Sequence, residues 1–211
     1  DTIVFFGSAR IKSQEEAQTA LQNAPINISK KKKEQLKSDL QMSRYYEDSR
    51  KLAYKLTKWS MNLKEKRKRF IITSGGGPGI MEAANRGADE AKGLAVGLNI
   101  TLPNEQSGNK WISKDLSLYF HYFFMRKFWF LYLAKALVIF PGGFGTLDEL
   151  MELLTLIQTE KIRKKVPVVV YDKKFWNKII NFNQLVKMRT ISKEDMKLFY
   201  ITDSIDDAYK Y

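Results

Sequence analysis

Residues 136–149, ALVIFPGGFGTLDE, decide the fold. The apolar run at 136–140 predicts a buried strand, and the glycine-rich turn at 141–146 ends it. The apolar spacing from about 147 to 160 then predicts a helix. A strand that passes through a turn into a helix is the unit from which parallel α/β sheets are built.

A second unit of the same kind lies earlier in the chain. Residues 70–73 predict a strand, a glycine cluster follows at 75–79, and residues 80–92 have the composition of a good helix. Because the carboxyl ends of parallel strands meet at one edge of a sheet, we expect both glycine turns at that edge.

The other predicted strands are also continuous apolar runs, as in a parallel sheet covered on both faces. We therefore predict an α/β fold with one domain, residues 1–211: a Rossmann-like doubly wound parallel sheet with helices on both faces. Residues 13–42 are polar and predict a partly helical insertion outside the main core. The other predicted strands are 3–6, 94–100, 166–171 and 198–201, and the other predicted helices are 43–64, 119–135 and 175–187.

The composition excludes several classes of site. The chain has no cysteine, which excludes a disulfide scaffold, thiol catalysis and a cysteine-ligated metal. His121 is the single histidine, so a multi-histidine metal site is excluded and a Ser-His-Asp triad has little room. No apolar run approaches the roughly 20 residues of a membrane span, so we expect a soluble cytoplasmic protein. The first strand starts at once, which indicates that residues precede Asp1.

The net charge of +13 raises the question of an anionic partner. Much of the excess lies in two basic runs, 30–33 and 64–69, which we interpret as solvated ends of helices. A nucleic-acid partner is the alternative, but no stacking aromatic residues are interleaved with these runs. We do not expect nucleic-acid binding.

Two glycine turns facing one crevice indicate a phosphorylated ligand. Glycine allows the backbone to approach an anion, and a helix N-terminus supplies N–H donors and partial positive charge. Each turn alone could equally be chain geometry. Neither turn is a Walker loop or a clean Gly-x-Gly-x-x-Gly, so a dinucleotide fingerprint is poorly supported.

Charged residues accompany the second turn. Asp148 and Glu149 lie in the first turn of its helix, where they could also simply complement the helix dipole. Arg126 and Lys127 stand in a strongly aromatic segment, where two cations are costly to bury without anionic partners. A solvated helix face is the alternative interpretation of that pair.

Together these elements resemble the LOG ("Lonely Guy") family, often labelled lysine decarboxylases. The family's Pro-Gly-Gly-x-Gly-Thr-x-x-Glu motif is intact at 141–149, the partner Gly-Gly-Gly turn is at 75–77, and the Arg-Lys pair matches at 126–127. The opening at 7–10, the insertion and residues 102–106 resemble the longer bacterial branch. Many relatives carry Glu-Glu where this chain has Asp148-Glu149.

The resemblance implies hydrolysis of the N-glycosidic bond of nucleoside 5′-monophosphates, AMP and cytokinin riboside 5′-monophosphates, to free base and ribose 5-phosphate. It implies no metal and no cofactor; lysine decarboxylation would need pyridoxal phosphate on a lysine, and none stands in a convincing setting. A non-catalytic nucleotide-binding or sensing protein is the alternative. The implied site residues are Arg126 and Glu149 for catalysis, Gly142, Gly143, Gly145 and Thr146 for the phosphate, Lys127, Glu105 and Thr155 for other substrate contacts, and Ser8 and Gly76 at the pocket wall.

The aromatic segment at 119–135 also predicts an oligomer. A helix that is apolar around most of its circumference is either deeply buried or part of an interface. The resemblance likewise implies a homodimer or a higher homo-oligomer, with Arg126 and Lys127 on the interface helix. Met125, Phe128 and Trp129 are candidates for an apolar wall beside the base, or for core or interface residues.

Overall fold

The computed structural model describes residues 1–64, 70–101 and 108–211, and its strands form one parallel sheet. The strands are β1 (Thr2–Phe6), β2 (Ile71–Ser74), β3 (Ala95–Ile100), β4 (Ser117–Phe120), β5 (Ala134–Ile139), β6 (Val168–Tyr171) and β7 (Tyr200–Thr202). Their order across the sheet is β4-β3-β2-β1-β5-β6-β7. The predicted parallel α/β architecture is confirmed.

The strand order reverses beside β1. That strand pairs with β2 on one side, where Phe5 is opposite Ser74, and with β5 on the other, where Phe6 is opposite Ile139. Ligand crevices of open α/β sheets lie at such a switch point, outside the carboxyl ends of the strands. Both glycine turns begin at this edge, one after β2 and one after β5.

Helices cover both faces of the sheet. Alternate residues of β1 enter two separate cores: Ile3 and Phe5 pack on one face, and Val4 and Phe6 pack on the other. The helices are α1 (Gln14–Gln22), α2 (Lys30–Met42), α3 (Arg44–Met61), α4 (Ile80–Glu90), α5 (Phe123–Leu133), α6 (Phe144–Gln158), α7 (Lys173–Ile179), α8 (Phe182–Lys187) and α9 (Ile205–Lys210). The first core is shared with α3, α4 and α9, and the second with α5, α6 and α7.

The polar segment 13–42 forms a helical hairpin. Ser13 caps α1 in a capping box with Glu16. Ala17 and Leu36 are the buried residues of α1 and α2, which pack on each other and on α3. Neither residue belongs to the two sheet cores, as expected of an insertion.

Some predicted element boundaries are wrong. The predicted helix 119–135 begins instead with β4, because Tyr119 and Phe120 pair with β3, and the helix α5 has 11 residues. The predicted helix 175–187 is two helices, since Ile180 is extended and the Asn181 side chain caps α8. Among the described residues, no helix has both the length and the apolar character needed to cross a membrane.

Candidate functional site

The loop after β1 ties the two glycine turns together. The Ser8 N–H donates to the carbonyl of Pro141 at 3.0 Å, and the Ile80 N–H donates to the carbonyl of Ser8 at 3.1 Å. The main chain of Ser8 therefore contacts both the second and the first turn. Its hydroxyl accepts a hydrogen bond from the Arg10 N–H.

The first glycine turn is held from below by buried polar side chains. Gly76 has a φ of +75°, and a Cβ there would lie 1.9 Å from Asn99 Oδ1, so only glycine fits. Its N–H donates to Ser74 Oγ at 3.1 Å, and its carbonyl accepts from the Asn109 N–H at 2.7 Å. The polar groups of Gly76 are thus used within the protein, and its backbone lies just beyond the carboxyl end of β2.

The second glycine turn presents an open helix N-terminus. A Cβ on Gly142 would lie 2.1 Å from Thr146 Oγ1, so these two residues pack directly. By contrast, a Cβ on Gly143 or Gly145 would meet nothing within 4 Å in the described part of the chain. The first backbone hydrogen bond of α6 runs from the Leu147 N–H to the Gly143 carbonyl, so the N–H groups before Leu147 have no acceptor within the helix. No described side chain caps them. This end of α6 is suited to an anion.

Glu149 is a buried carboxyl group in the second turn of α6; its predicted position in the first turn, with Asp148, is wrong because the helix begins at Phe144. Glu149 is 4% exposed, and its Oε2 has no hydrogen-bond partner among the described residues. Burial raises the pKa of Glu149 to about 7, although the nearby charges of Lys127 and Arg126 oppose the shift. Asp148 and Glu152 on the same helix raise it further.

Lys127 joins α5 to α6. Its Nζ lies 2.7 Å from Asp148 Oδ2 and 2.9 Å from Glu152 Oε2. Burial lowers the pKa of Lys127, but the contacts with Asp148 and Glu152 outweigh it and leave the pKa raised. The ammonium form is therefore stabilised here.

Arg126 reaches from α5 towards the first glycine turn. Its Nη1 lies 3.7 Å from the place that a Cβ on Gly75 would occupy. The guanidinium carbon also lies 5.2 Å and 5.7 Å from the ring centres of Phe123 and Phe130. The charge of Arg126 also acts on Glu149, so the arginine influences a carboxyl group of α6 as well as lying near the first turn.

Thr155 lies further along α6 than the other implied residues of that helix. Thr155 is exposed, about two helix turns beyond Glu149, and its hydroxyl donates to the Met151 carbonyl at 2.7 Å. Glu105 lies outside the described residues. Ser8, Gly76 and the 142–146 turn follow the carboxyl ends of β1, β2 and β5.

Sequence reasoning missed the charge partner Glu152 and the polar support under the first turn. Glu152 follows Asp148 by four residues, so helical spacing could have placed both carboxylates opposite Lys127. No local signal marks Asn85, because its partners Ser74 and Asn109 come from distant parts of the chain.

A family profile described as possible lysine decarboxylase matches residues 81–211, more than half of the chain. The chain belongs to this LOG-like family. The matched range contains Arg126, Lys127, the second glycine turn and Glu149, whereas the first glycine turn lies before it. Among curated proteins, none matches the sequence.

Solved structures share the fold. The X-ray structure of TM1055 is 19% identical with a TM-score of 0.56, and the match covers 100% of this chain and 96% of that one. The molybdenum cofactor carrier protein from Chlamydomonas reinhardtii is 16% identical with a TM-score of 0.55, over 99% and 93% of the two chains. Both likenesses support the architecture of the family member described here.

Lysine decarboxylation, which the family's description names, does not suit this site. The reaction needs pyridoxal phosphate joined to a lysine, and such a lysine acts as a neutral amine. Lys127, beside the second turn, is instead ion-paired and held protonated. Among the described residues, no group of three or more histidine or carboxylate side chains is arranged to hold a metal ion.

Proposed function

We propose that the protein hydrolyses the N-glycosidic bond of nucleoside 5′-monophosphates. AMP and N6-substituted AMP, the cytokinin riboside 5′-monophosphates, are the proposed substrates. The observation that carries the proposal is the buried carboxyl group of Glu149, which lies beside two cations and the open N-terminus of α6. Membership of the LOG-like family supports the same reaction class.

The phosphate would bind at the second glycine turn. A Cβ on Gly143 or Gly145 would meet nothing within 4 Å among the described residues, and both glycines stand at the N-terminus of α6, whose first N–H groups have no acceptor within the helix. Thr146 is 5% exposed and packs on Gly142, which fixes the shape of the turn before the ligand arrives. A dianionic phosphate is favoured there by both the donors and the helix dipole.

The ribose would then lie next to Glu149. Hydrolysis breaks the bond from C1′ to the base nitrogen, and its electron pair leaves with the base while positive charge builds on the sugar. Ionised Glu149 stabilises that charge and accepts a proton from the attacking water, whose oxygen bonds to C1′. The departing base takes up a proton in the same net reaction. A pKa near 7 suits a group that must hold and release a proton near neutral pH.

Arg126 would orient the carboxylate and hold its charge. The guanidinium acts on Glu149 from α5 while it lies over Gly75 of the first turn. Lys127, Thr155 and Glu105 remain proposed substrate contacts, and Ser8 and Gly76 remain proposed parts of the pocket wall.

Base release from AMP tests the proposal. Wild-type protein incubated with AMP should produce adenine and ribose 5-phosphate, measured by chromatography. Glu149→Gln should reduce adenine release at least 100-fold, because general-base and charge stabilisation are lost together. Glu34→Gln, on the exposed face of α2, is the matched control and should leave release unchanged. No adenine from AMP or from N6-substituted AMP would refute the activity.

A non-catalytic binding role is the second candidate. The open N-terminus of α6 can hold a phosphate ester whether or not a bond is then broken. A protein of the same fold, from Chlamydomonas reinhardtii, is named as a carrier protein of the molybdenum cofactor. Saturable AMP binding in calorimetry without adenine release would favour this role over hydrolysis.

We also propose that the protein forms a homodimer through α5. Phe124, Phe128 and Tyr132 recur every four residues and are 66%, 53% and 64% exposed. They border a cavity of about 460 Å³ that is also lined by Leu156 of α6. A row of large exposed rings beside an apolar cavity is typical of an interface rather than of a free surface.

A further inference from the structure

The first half of α6 carries three acidic side chains close to α5. Asp148, Glu149 and Glu152 lie within five positions, and Asp148 and Glu152 are four apart on one face of the helix. Like charges at this spacing repel each other and destabilise a helix. A cation beside these three carboxyl groups offsets their repulsion and favours their ionised forms.

Lys127 lies where that cation is needed. Its Nζ is 2.7 Å from Asp148 and 2.9 Å from Glu152, so one ammonium group lies between both carboxylates. Its side chain is 18% exposed, whereas the side chains of Asp148 and Glu152 are 56% and 35% exposed, so the lysine is the sheltered partner in both contacts. The neighbouring cation, Arg126, extends instead towards the first glycine turn, where its Nη1 lies 3.7 Å from the place that a Cβ on Gly75 would occupy.

We propose that Lys127 is a positioning residue, which fixes the first turns of α6 and the carboxyl group of Glu149 through its contacts with Asp148 and Glu152. The importance of Lys127 for catalysis rests on the proposed function, but its contacts with Asp148 and Glu152 do not. Each of the two contacts crosses from α5 to α6, so they also set the distance between the helices. A role for Lys127 in touching substrate is compatible with this one.

The arrangement predicts opposite effects for substitutions around a single carboxyl group. The charged groups that face Glu149 are Lys127 and Arg126 from α5 and Asp148 and Glu152 from its own helix. Loss of the Lys127 charge leaves two uncompensated anions beside Glu149, which should then keep its proton to higher pH. Loss of the Glu152 charge removes an anion, and Glu149 should then ionise at lower pH.

Carbon-13 NMR of the ligand-free protein tests this directly. Side-chain carboxyl carbons are labelled through glutamate, and Glu149→Gln identifies the signal of Glu149. Lys127→Gln should move the titration midpoint of Glu149 up by about one pH unit or more, the scale of a nearby opposite charge. Glu152→Gln should move it down, and Lys127→Arg, which keeps the charge, should stay near wild type.

The inference is overturned if Lys127→Gln leaves the midpoint unchanged, or if the Lys127→Gln and Glu152→Gln variants move it in the same direction. If Lys127→Gln does not fold, the Glu152→Gln and Lys127→Arg variants test the inference instead. A Glu149 titration midpoint in Glu152→Gln that equals the wild-type value then overturns the inference. Because no substrate is present, these results do not depend on hydrolysis. Failure of the proposed function is seen separately, as the absence of adenine release by the wild type.

Discussion

Glu149 should make the folded protein less stable as the pH rises. Its pKa is raised from 4.5 to about 7 by burial. Each unit corresponds to about 1.4 kcal/mol, so ionising this group in the folded state costs about 3 kcal/mol more than in the unfolded chain. Glutamine at the same position has no such cost. We therefore expect Glu149→Gln to raise the free energy of unfolding at alkaline pH.

The sign follows from proton binding. Below about pH 4.5 both states hold the proton, and the variant and wild type should differ little. Between about pH 4.5 and 7 the unfolded chain loses its proton first, so the wild type loses stability while the variant does not. Above about pH 7 the difference should level off near 3 kcal/mol in favour of the variant.

Urea unfolding at a series of pH values, at one fixed protein concentration, measures this difference. Glu34→Gln is the control, because the side chain on α2 is exposed and the difference from wild type should not grow with pH. A Glu149→Gln difference that is independent of pH, or that falls as pH rises, would refute the reasoning.

Four further predictions concern the turns and the aromatic helix. Gly145→Ala should fold as stably as wild type but raise the KM for AMP about tenfold or more, because the methyl group enters open space that the phosphate would occupy. Gly142→Ala should instead lower the free energy of unfolding by roughly 1–3 kcal/mol, since its Cβ would overlap Thr146. Gly76→Ala should lower it by at least roughly 1–3 kcal/mol, because it combines positive φ with a clash. Phe128→Glu should convert the dimer to monomer in sedimentation experiments, because it places a charge among exposed rings.

Each of these has a contrary outcome. An unchanged KM in Gly145→Ala would show that the phosphate lies elsewhere. Full stability of Gly142→Ala or Gly76→Ala would mean that the turns relax more easily than their packing indicates. A wild-type protein that sediments as a monomer, or a dimer that survives Phe128→Glu, would contradict the α5 interface. Gln41→Glu is the matched control for Phe128→Glu, because it also adds a carboxylate, at an exposed position of α2.

The sequence was sufficient for the features that depend on local order. Apolar runs followed by glycine turns predicted the sheet. The helices α5 and α6 flank β5 in the chain, and the structure packs both on the same face of the sheet. The contact of Lys127 with Glu152 depends on the rotation of two packed helices, which spacing alone does not determine. The edge strand β4 was missed because its rings continue the aromatic pattern of the helix after it.

The strand order has a consequence for synthesis on the ribosome. Val4 of β1 lies opposite Thr73 of β2 and Leu137 of β5, so its two neighbours are made at very different times. Until β5 emerges, one edge of an apolar central strand has no partner. Such contacts between distant residues slow folding and leave a strand edge open to other chains. The nascent chain therefore carries an open edge on its central strand until just before the second glycine turn is translated.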